Sequence, residues 1–193
     1  IMRLPLKYFN LHSHFPARRD DEIAVLNLFP DMPDIGMIVK KSGLYFSVGL
    51  HPWHLTLEGI EGAMAVVERL AAERSVKAAG ECGLDRLAEA DLAFQREVLI
   101  RHFEIAESAG KPLIIHCVRA YPELIKLKKE LRPVLPWICH GFNASRQAAE
   151  QLVRHGIHVS FGPALLKSRK LQELVADFPA DHLFLETDDK DTE

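Results

Sequence analysis

The stretch from 112 to 161, PLIIHCVRAYPELIKLKKELRPVLPWICHGFNASRQAAEQLVRHGIHVSF, decides the fold. Three short apolar runs lie in it, at 112–116, 136–140 and 157–161. They are apolar almost throughout instead of alternating, as strands buried on both faces are. Helical patterns fill the gaps. Pro122 suits the first turn of a helix running to Leu131, and the pattern over 145–155 stops at Gly156, a usual helix terminator. Strands that alternate with helices pair in parallel, since each helix carries the chain back to the start of the next strand.

The same grammar extends outward in both directions. Strand-like runs occupy 8–14, 23–29, 44–51 and 76–81 on one side and 182–188 on the other, making eight in all. Residues 61–74 carry Met64, Val67, Leu70 and Ala71 at helical spacing. Residues 91–108 do the same with Leu92, Leu99, Phe103 and Ala106, and stop at Gly110 before Pro112. A last helix is expected over 168–177, ahead of Pro179. No Gly-rich phosphate loop follows the first strand, which argues against a dinucleotide fold. The expected architecture is a single α/β domain over 1–193, a (β/α)8 barrel of the TIM type. Two helices are expected to be missing. Only 15–22, with Pro16, separate the first two strands, and five residues follow Asp188, so neither a clear first helix nor an eighth is expected.

Barrels of this type carry their chemistry at the carboxyl ends of the strands. Here those ends hold His12 and His14, Glu81, His116, His140 and Asp188. His12 and His14 are two apart on one strand, so both rings face one way and can grip one ion while Ser13 turns aside. Each residue alone has a plain alternative: a hydrogen-bonded core histidine, a salt-bridged Glu81, a loop-capping Asp188. Independent residues would not all fall at the same end of separate strands, and the set is read as a metal site. Imidazole and carboxylate without sulfur suit Zn, Mn, Co, Fe, Ni or Mg. A single catalytic zinc uses three protein ligands, so this larger set predicts two divalent ions sharing a carboxylate. Cys82, Cys117 and Cys139 each adjoin a proposed ligand. Alternation turns them outward, so buried, structural thiols are expected, with no thiolate on the metal.

The remaining composition sets limits. Lys and Arg number 24 and Asp and Glu 27, a formal charge of −3. That excludes a broad basic surface for coating nucleic acid but leaves room for a pocket that takes a strand end. The basic run Lys126, Lys128, Lys129, Arg132 is read as a solvated helix face. An odd cysteine count without framework spacing points to a reducing compartment. No apolar run nears the ~20 residues that span a bilayer. The expected location is the cytoplasm, away from membranes.

In order along the chain, NLHSH, GLHP, AGECGLD, PLIIHCVR, CHGF and LETDD resemble the TatD-like metal-dependent hydrolases, a barrel branch of the amidohydrolase superfamily with deoxyribonuclease members. The resemblance runs from about Asn10 to Asp189. It implies that His12, His14, Glu81 and Asp188 hold one ion, and that Glu81 bridges to a second held by His116 and His140. It places His51 and Arg119 near the substrate, and Asp85 along the site or behind a ligand. Trp53 and His54, after His51, could flank a base, and packing of the rim is the expected role. The implied activity is hydrolysis of a phosphodiester, in DNA or a small substrate. The water is activated by two metals, with identity open among Zn, Mg and Mn, and Asp188 takes its proton. Two rivals remain: a related barrel acting on another ester or an amide, and a metal-binding scaffold without turnover.

Overall fold

The seam between the first and last strands sets the shape of the molecule. A computed structural model describes residues 8–17 and 19–189. Eight strands pair in chain order, each parallel to the next: β1 (Tyr8–Ser13), β2 (Glu22–Leu28), β3 (Tyr45–Val48), β4 (Val76–Asp85), β5 (Leu113–Val118), β6 (Trp137–Cys139), β7 (Ile157–Phe161) and β8 (Leu183–Leu185). The ring closes where Ser13 bridges Asp188. There the Asp188 amide donates to the His12 carbonyl at 3.0 Å, and the His14 amide donates to the Asp188 carbonyl at 3.0 Å. Next to this bridge the Asn10 side chain replaces ladder bonds. Its Nδ2 donates to Thr187 Oγ1 at 2.8 Å, and its Oδ1 accepts from the Thr187 amide at 3.1 Å. The result is a nearly closed barrel of the expected (β/α)8 type.

Helices α1 (Ile35–Ile38), α2 (Ile60–Ala71), α3 (Leu92–Ala109), α4 (Tyr121–Leu131), α5 (Arg146–Arg154), α6 (Ala164–Lys167) and α7 (Arg169–Ala176) complete the alternation. Local chemistry marks their ends. Asp91, Ser145 and Ser168 cap α3, α5 and α7 by accepting from the amides of Phe94, Ala148 and Leu171, satisfying donors that a helix start leaves free. Among the described residues no helix links β1 and β2, as expected. The expectation of no eighth helix falls on 190–193, outside the described residues. Two details differ from the sequence reading. The strand expected to stop at Glu81 runs on to Asp85, because glycines at 80 and 83 let its backbone lie close against β5. The segment after β7 holds α6 as well as the expected helix.

Apolar packing forms inside and outside the ring. Leu11, Ala78, Ile114 and Ile138 make a small cluster with Phe184 against it. Ile114 and Ile138 lie two residues before His116 and His140 and share their inward face. Outside, Cys82, Cys117 and Cys139 are buried and unbridged, packed in one cluster with Leu99, Leu124, Leu127 and Leu152 from the helices. The outward-facing thiols expected from alternation are therefore found. Among the described residues, no helix is long and apolar enough to cross a membrane.

The β4–β5 contact has no room for a side chain at two places. A Cβ on Gly83 would stand 1.9 Å from the His116 carbonyl oxygen, and one on Gly80, where φ is 117°, would stand 2.2 Å from that of Ile114. Both obstacles are backbone, which cannot swing aside. Gly83→Ala should cost about 3 kcal/mol or more of stability, measured by urea denaturation. It should also weaken metal uptake, since Glu81 and His116 sit on the displaced strands.

Packing of α3 on the barrel includes a fully buried histidine. His102 Nε2 accepts from the Leu50 amide at 3.1 Å, so Nδ1 carries the proton and donates to the Val98 carbonyl at 2.8 Å. Burial pulls its pKa from 6.5 down to about 4. The unfolded chain takes up this proton between those two values while the folded chain does not. The contribution to stability is therefore complete above about pH 6.5 and is lost as pH falls towards 4, on the order of 3 kcal/mol in all. Urea denaturation at a series of pH values should show this loss in the wild type. His102→Gln should be less stable at neutral pH and lack this component of the slope.

Candidate metal centre

One carboxylate organises the mouth of the barrel. Glu81 is 3% exposed and stands within ion-pair distance of five histidines. Its Oε1 is 2.6 Å from His140 Nε2, 3.1 Å from His116 Nδ1 and 3.2 Å from His51 Nε2. Its Oε2 is 3.3 Å from His12 Nε2 and 4.0 Å from His14 Nε2. Asp188 joins on that second side, with Oδ1 3.5 Å from His12 Nε2 and 3.7 Å from His14 Nε2. All six residues expected as ligands therefore converge.

Local backbone features aim these groups. Pairing of β4 with β5 shifts register between Ala79 and Cys82, and such an irregularity re-aims the side chain it contains. The Glu81 amide donates to Asn27 Oδ1 at 2.9 Å, and Asn27 is held in turn by Ser47 Oγ at 3.1 Å. His12 and His14 leave β1 at the barrel seam, where the backbone bonds to Asp188 lock the two chain ends together. Asp188 adopts a left-handed φ of 54°, which most residues avoid.

Burial and charge oppose each other at the cage. Burial raises the Glu81 pKa, but His140, His116 and His12 outweigh it and hold the carboxyl well below its ordinary range. Burial lowers that of His140, and the Glu81 and Glu186 carboxylates more than reverse this. For His12 burial and His140 lower the value, and Asp188 and Glu81 carry it above 6.5. His14 and His51 are lowered, chiefly by burial. Asp188, despite burial, is lowered by His12 and His140.

This donor set fits a cation. His12 is fully buried, yet its Nδ1 has no hydrogen-bond partner and its Nε2 stands 3.3 Å from Glu81 Oε2 and 3.5 Å from Asp188 Oδ1 without hydrogen-bond geometry, an expensive arrangement for a polar group. Three groupings bring donor atoms within 4.8 Å of one another: His12 with His14 and Glu81, His12 with His140 and Asp188, and His51 with Glu81 and His116. Carboxylates behind the rings complete the pattern seen at metal sites, where a ligating histidine gives its other N–H to an acceptor. His116 Nε2 is 3.0 Å from Asp85 Oδ2, and His140 Nδ1 is 3.3 Å from Glu186 Oε1.

The other expected residues are placed differently. The Asp85 side chain is fully buried and accepts from Trp53 Nε1 at 2.7 Å and from the Leu87 amide at 2.7 Å. Asp85 is the last residue of β4 and stands behind His116, 3.0 Å from its Nε2. Arg119 is exposed, has φ of 55°, and is not among the residues lining the cavity. His51 does line the cavity. Its Nδ1 accepts from the Trp53 amide at 3.1 Å, so its Nε2 carries the hydrogen in the neutral ring. It is built as a donor more than as a ligand.

Two residues escaped the sequence reading. Glu186 is 7% exposed, and its Oε1 also accepts from the Gly141 amide at 2.6 Å. Asn27 is the buried support of Glu81. Each left a signal, a polar side chain inside an apolar strand run (LFLE, AVLN), which a buried strand tolerates only with a partner.

His14, His51, Glu81, His116, His140 and Asp188 line a cavity of about 280 Å³ at the barrel mouth, with Phe29, Trp53 and His54 beside them. Comparison with known proteins agrees with this geometry. The family model described as TatD related DNase matches residues 23–191. The uncharacterized metal-dependent hydrolase YabD of Bacillus subtilis is 31% identical over 156 residues, covering 79% of this chain and 61% of the relative. The 3'-5' ssDNA/RNA exonuclease TatD of Escherichia coli K12 is 29% identical over 154 residues, covering 77% of this chain and 59% of the relative. The chain thus spans about 60% of the length of these curated relatives. Among solved structures, the TatD homolog YJJV of Escherichia coli k12 superposes with a TM-score of 0.76 at 20% identity, over 95% of this chain and 80% of that one. A TatD family hydrolase from Entamoeba histolytica gives 0.76 at 18% identity, over 96% and 74%. At such identities the structural likeness establishes the fold, and the family rests on the sequence match. With its metal-ligating residue types gathered at the barrel mouth and the family model running through nearly all of its strands, the chain belongs to the TatD related DNase family of metal-dependent hydrolases.

Proposed function

We propose that the chain is a single catalytic barrel that hydrolyses phosphodiester bonds in DNA with two divalent ions. The observation that carries this reading is the division of Glu81. Its two oxygens face two different sets of imidazoles, His12 and His14 about Oε2, with Asp188 beside that pair, and His116, His140 and His51 about Oε1. With His51 counted, five imidazoles crowd a carboxylate that offers about four acceptor sites, and a Glu81 shared between two ions would answer that crowding better than hydrogen bonds.

His12, His14, Glu81, His116, His140 and Asp188 would hold the ions, from among Zn, Mg and Mn, which would make a water acidic enough to lose a proton near neutral pH and would offset charge on the phosphate oxygens. The protein does the rest. Glu81, held ionised, fixes the donor sets at one separation. Asp85 and Glu186 orient His116 and His140 so that the opposite ring nitrogen of each faces Glu81. Asp188, with a side chain 33% exposed, lies at the cavity surface where a water can enter, and accepts the proton that the attacking water releases. His51 Nε2–H donates to a phosphate oxygen. The name of the Escherichia coli relative, a 3'-5' ssDNA/RNA exonuclease, supports a nucleic-acid substrate. Arg119 reaches the substrate only if its exposed side chain folds over the mouth, as charge on the phosphate would favour.

Elemental analysis should find both ions lost from Glu81→Ala and chiefly one lost from His116→Ala. Unchanged metal content in Glu81→Ala would remove the bridge. Offered single-stranded DNA, a small phosphodiester and an amide with Mg, Mn or Zn, the protein should cleave the first two. Asp188→Ala should slow this by about 10²–10⁴-fold. Cleavage of the amide alone would refute the nuclease reading, and metal uptake without turnover on any of the three would leave a scaffold.

A further inference from the structure

Trp53 is built in reverse of an ordinary tryptophan. Indoles in folded proteins usually bury the apolar ring and leave the N–H to find a polar partner or water. Here the residue is 64% exposed, while its Nε1 is tied to the buried Asp85 at 2.7 Å. The backbone is held as firmly. Pro52 opens the short 3-10 turn at 52–54, and His51 caps it by accepting from the Trp53 amide. The ring meets His51 edge-on, with centroids 5.0 Å apart and planes at 81°, and meets His116 at 6.1 Å and 70°. Three restraints thus fix an aromatic surface that is left in water.

A single exposed hydrophobic residue is common and needs no explanation by itself. The location gives this one its meaning. Trp53 lines the same cavity as Glu81, His116 and His51, and its Asp85 anchor is the carboxylate that orients His116. A phosphate held at the cage would carry its attached sugar and base out through this mouth, alongside the indole.

We propose that the free face of Trp53 is a stacking platform for an unpaired nucleobase of the strand whose backbone enters the Glu81 cage, an assignment that rests on the phosphodiesterase reading above. Of the two roles the sequence leaves open, base flanking and rim packing, it takes the first. Every base has a π-face, so a platform of this kind binds without regard to sequence. A base in a duplex has both faces covered by its neighbours, so the platform selects single-stranded DNA. The polar end of the indole is already bonded and contributes nothing to base identity. Immobilisation before binding means that little side-chain freedom is lost on stacking.

The test uses the full chain with Mn²⁺ and two hydrolysis-resistant phosphorothioate strands of equal length, one an oligothymidylate and one abasic. Binding is read by anisotropy of a label on the strand and by tryptophan fluorescence. The chain has two tryptophans, and Trp137 is buried at 1% exposure, so quenching by a stacked base reports Trp53. The oligothymidylate should quench the emission, and Trp53→Ala should weaken its binding by about 5- to 100-fold. Trp53→Phe, which keeps a ring face but loses the Nε1 anchor, should fall between the two. The abasic strand should bind wild type and Trp53→Ala alike. The salt slope of oligothymidylate binding should be the same in both proteins, since stacking neutralises no phosphate. Equal binding of the two strands by the wild type overturns the platform and leaves the nuclease reading intact. Failure of both strands to bind overturns that reading and the platform together.

Discussion

The mutual attraction between one buried carboxylate and the imidazoles around it is the interaction on which the rest of the site depends. Glu81 could not stay ionised at 3% exposure without compensation. Its neighbours supply it, and in doing so they are drawn to a common point. A cation at that point would offset the same charge. The folded barrel therefore carries a standing electrostatic demand for positive charge at its mouth.

Meeting that demand required the scaffold to be unusually close-fitting around β4. Glycines at 80 and 83 let β4 lie against β5 where any side chain would strike backbone, and the same region carries the register shift that aims Glu81. Asn27 and Ser47, from β2 and β3, fix the Glu81 amide from the other side. Behind the rings, Asp85 and Glu186 hold His116 and His140 in one orientation. Strand ends provide this precision better than mobile loops do, which is why the barrel concentrates its chemistry there.

The seam adds a second constraint. Asp188 and the His12–His14 pair are far apart in sequence but share two backbone hydrogen bonds. A parallel barrel must join its last strand to its first, and here the closing bridge is also the place where the carboxylate meets two candidate ligands. Asn10 and Thr187 stitch the adjoining stretch with side chains. The closing bridge and the cage share the same residues.

Sequence by itself determined the eight strands, their parallel order and the six convergent residues, because buried strands and helix ends leave local signals in apolar runs, Gly and Pro. It also determined the outward turn of Cys82, Cys117 and Cys139, since alternation is a property of the strand alone. Only tertiary structure decided what each polar group faces. Asp85 proved to stand behind His116, Arg119 to be exposed away from the cavity lining, and Glu186 and Asn27 to be the supports of His140 and Glu81. None of these follows from spacing, because each depends on which neighbouring strand approaches, and how closely. The same holds for Trp53. Its residue type marks it as apolar, but only the bond from its indole nitrogen to Asp85, made across 32 residues of chain, leaves its face towards solvent.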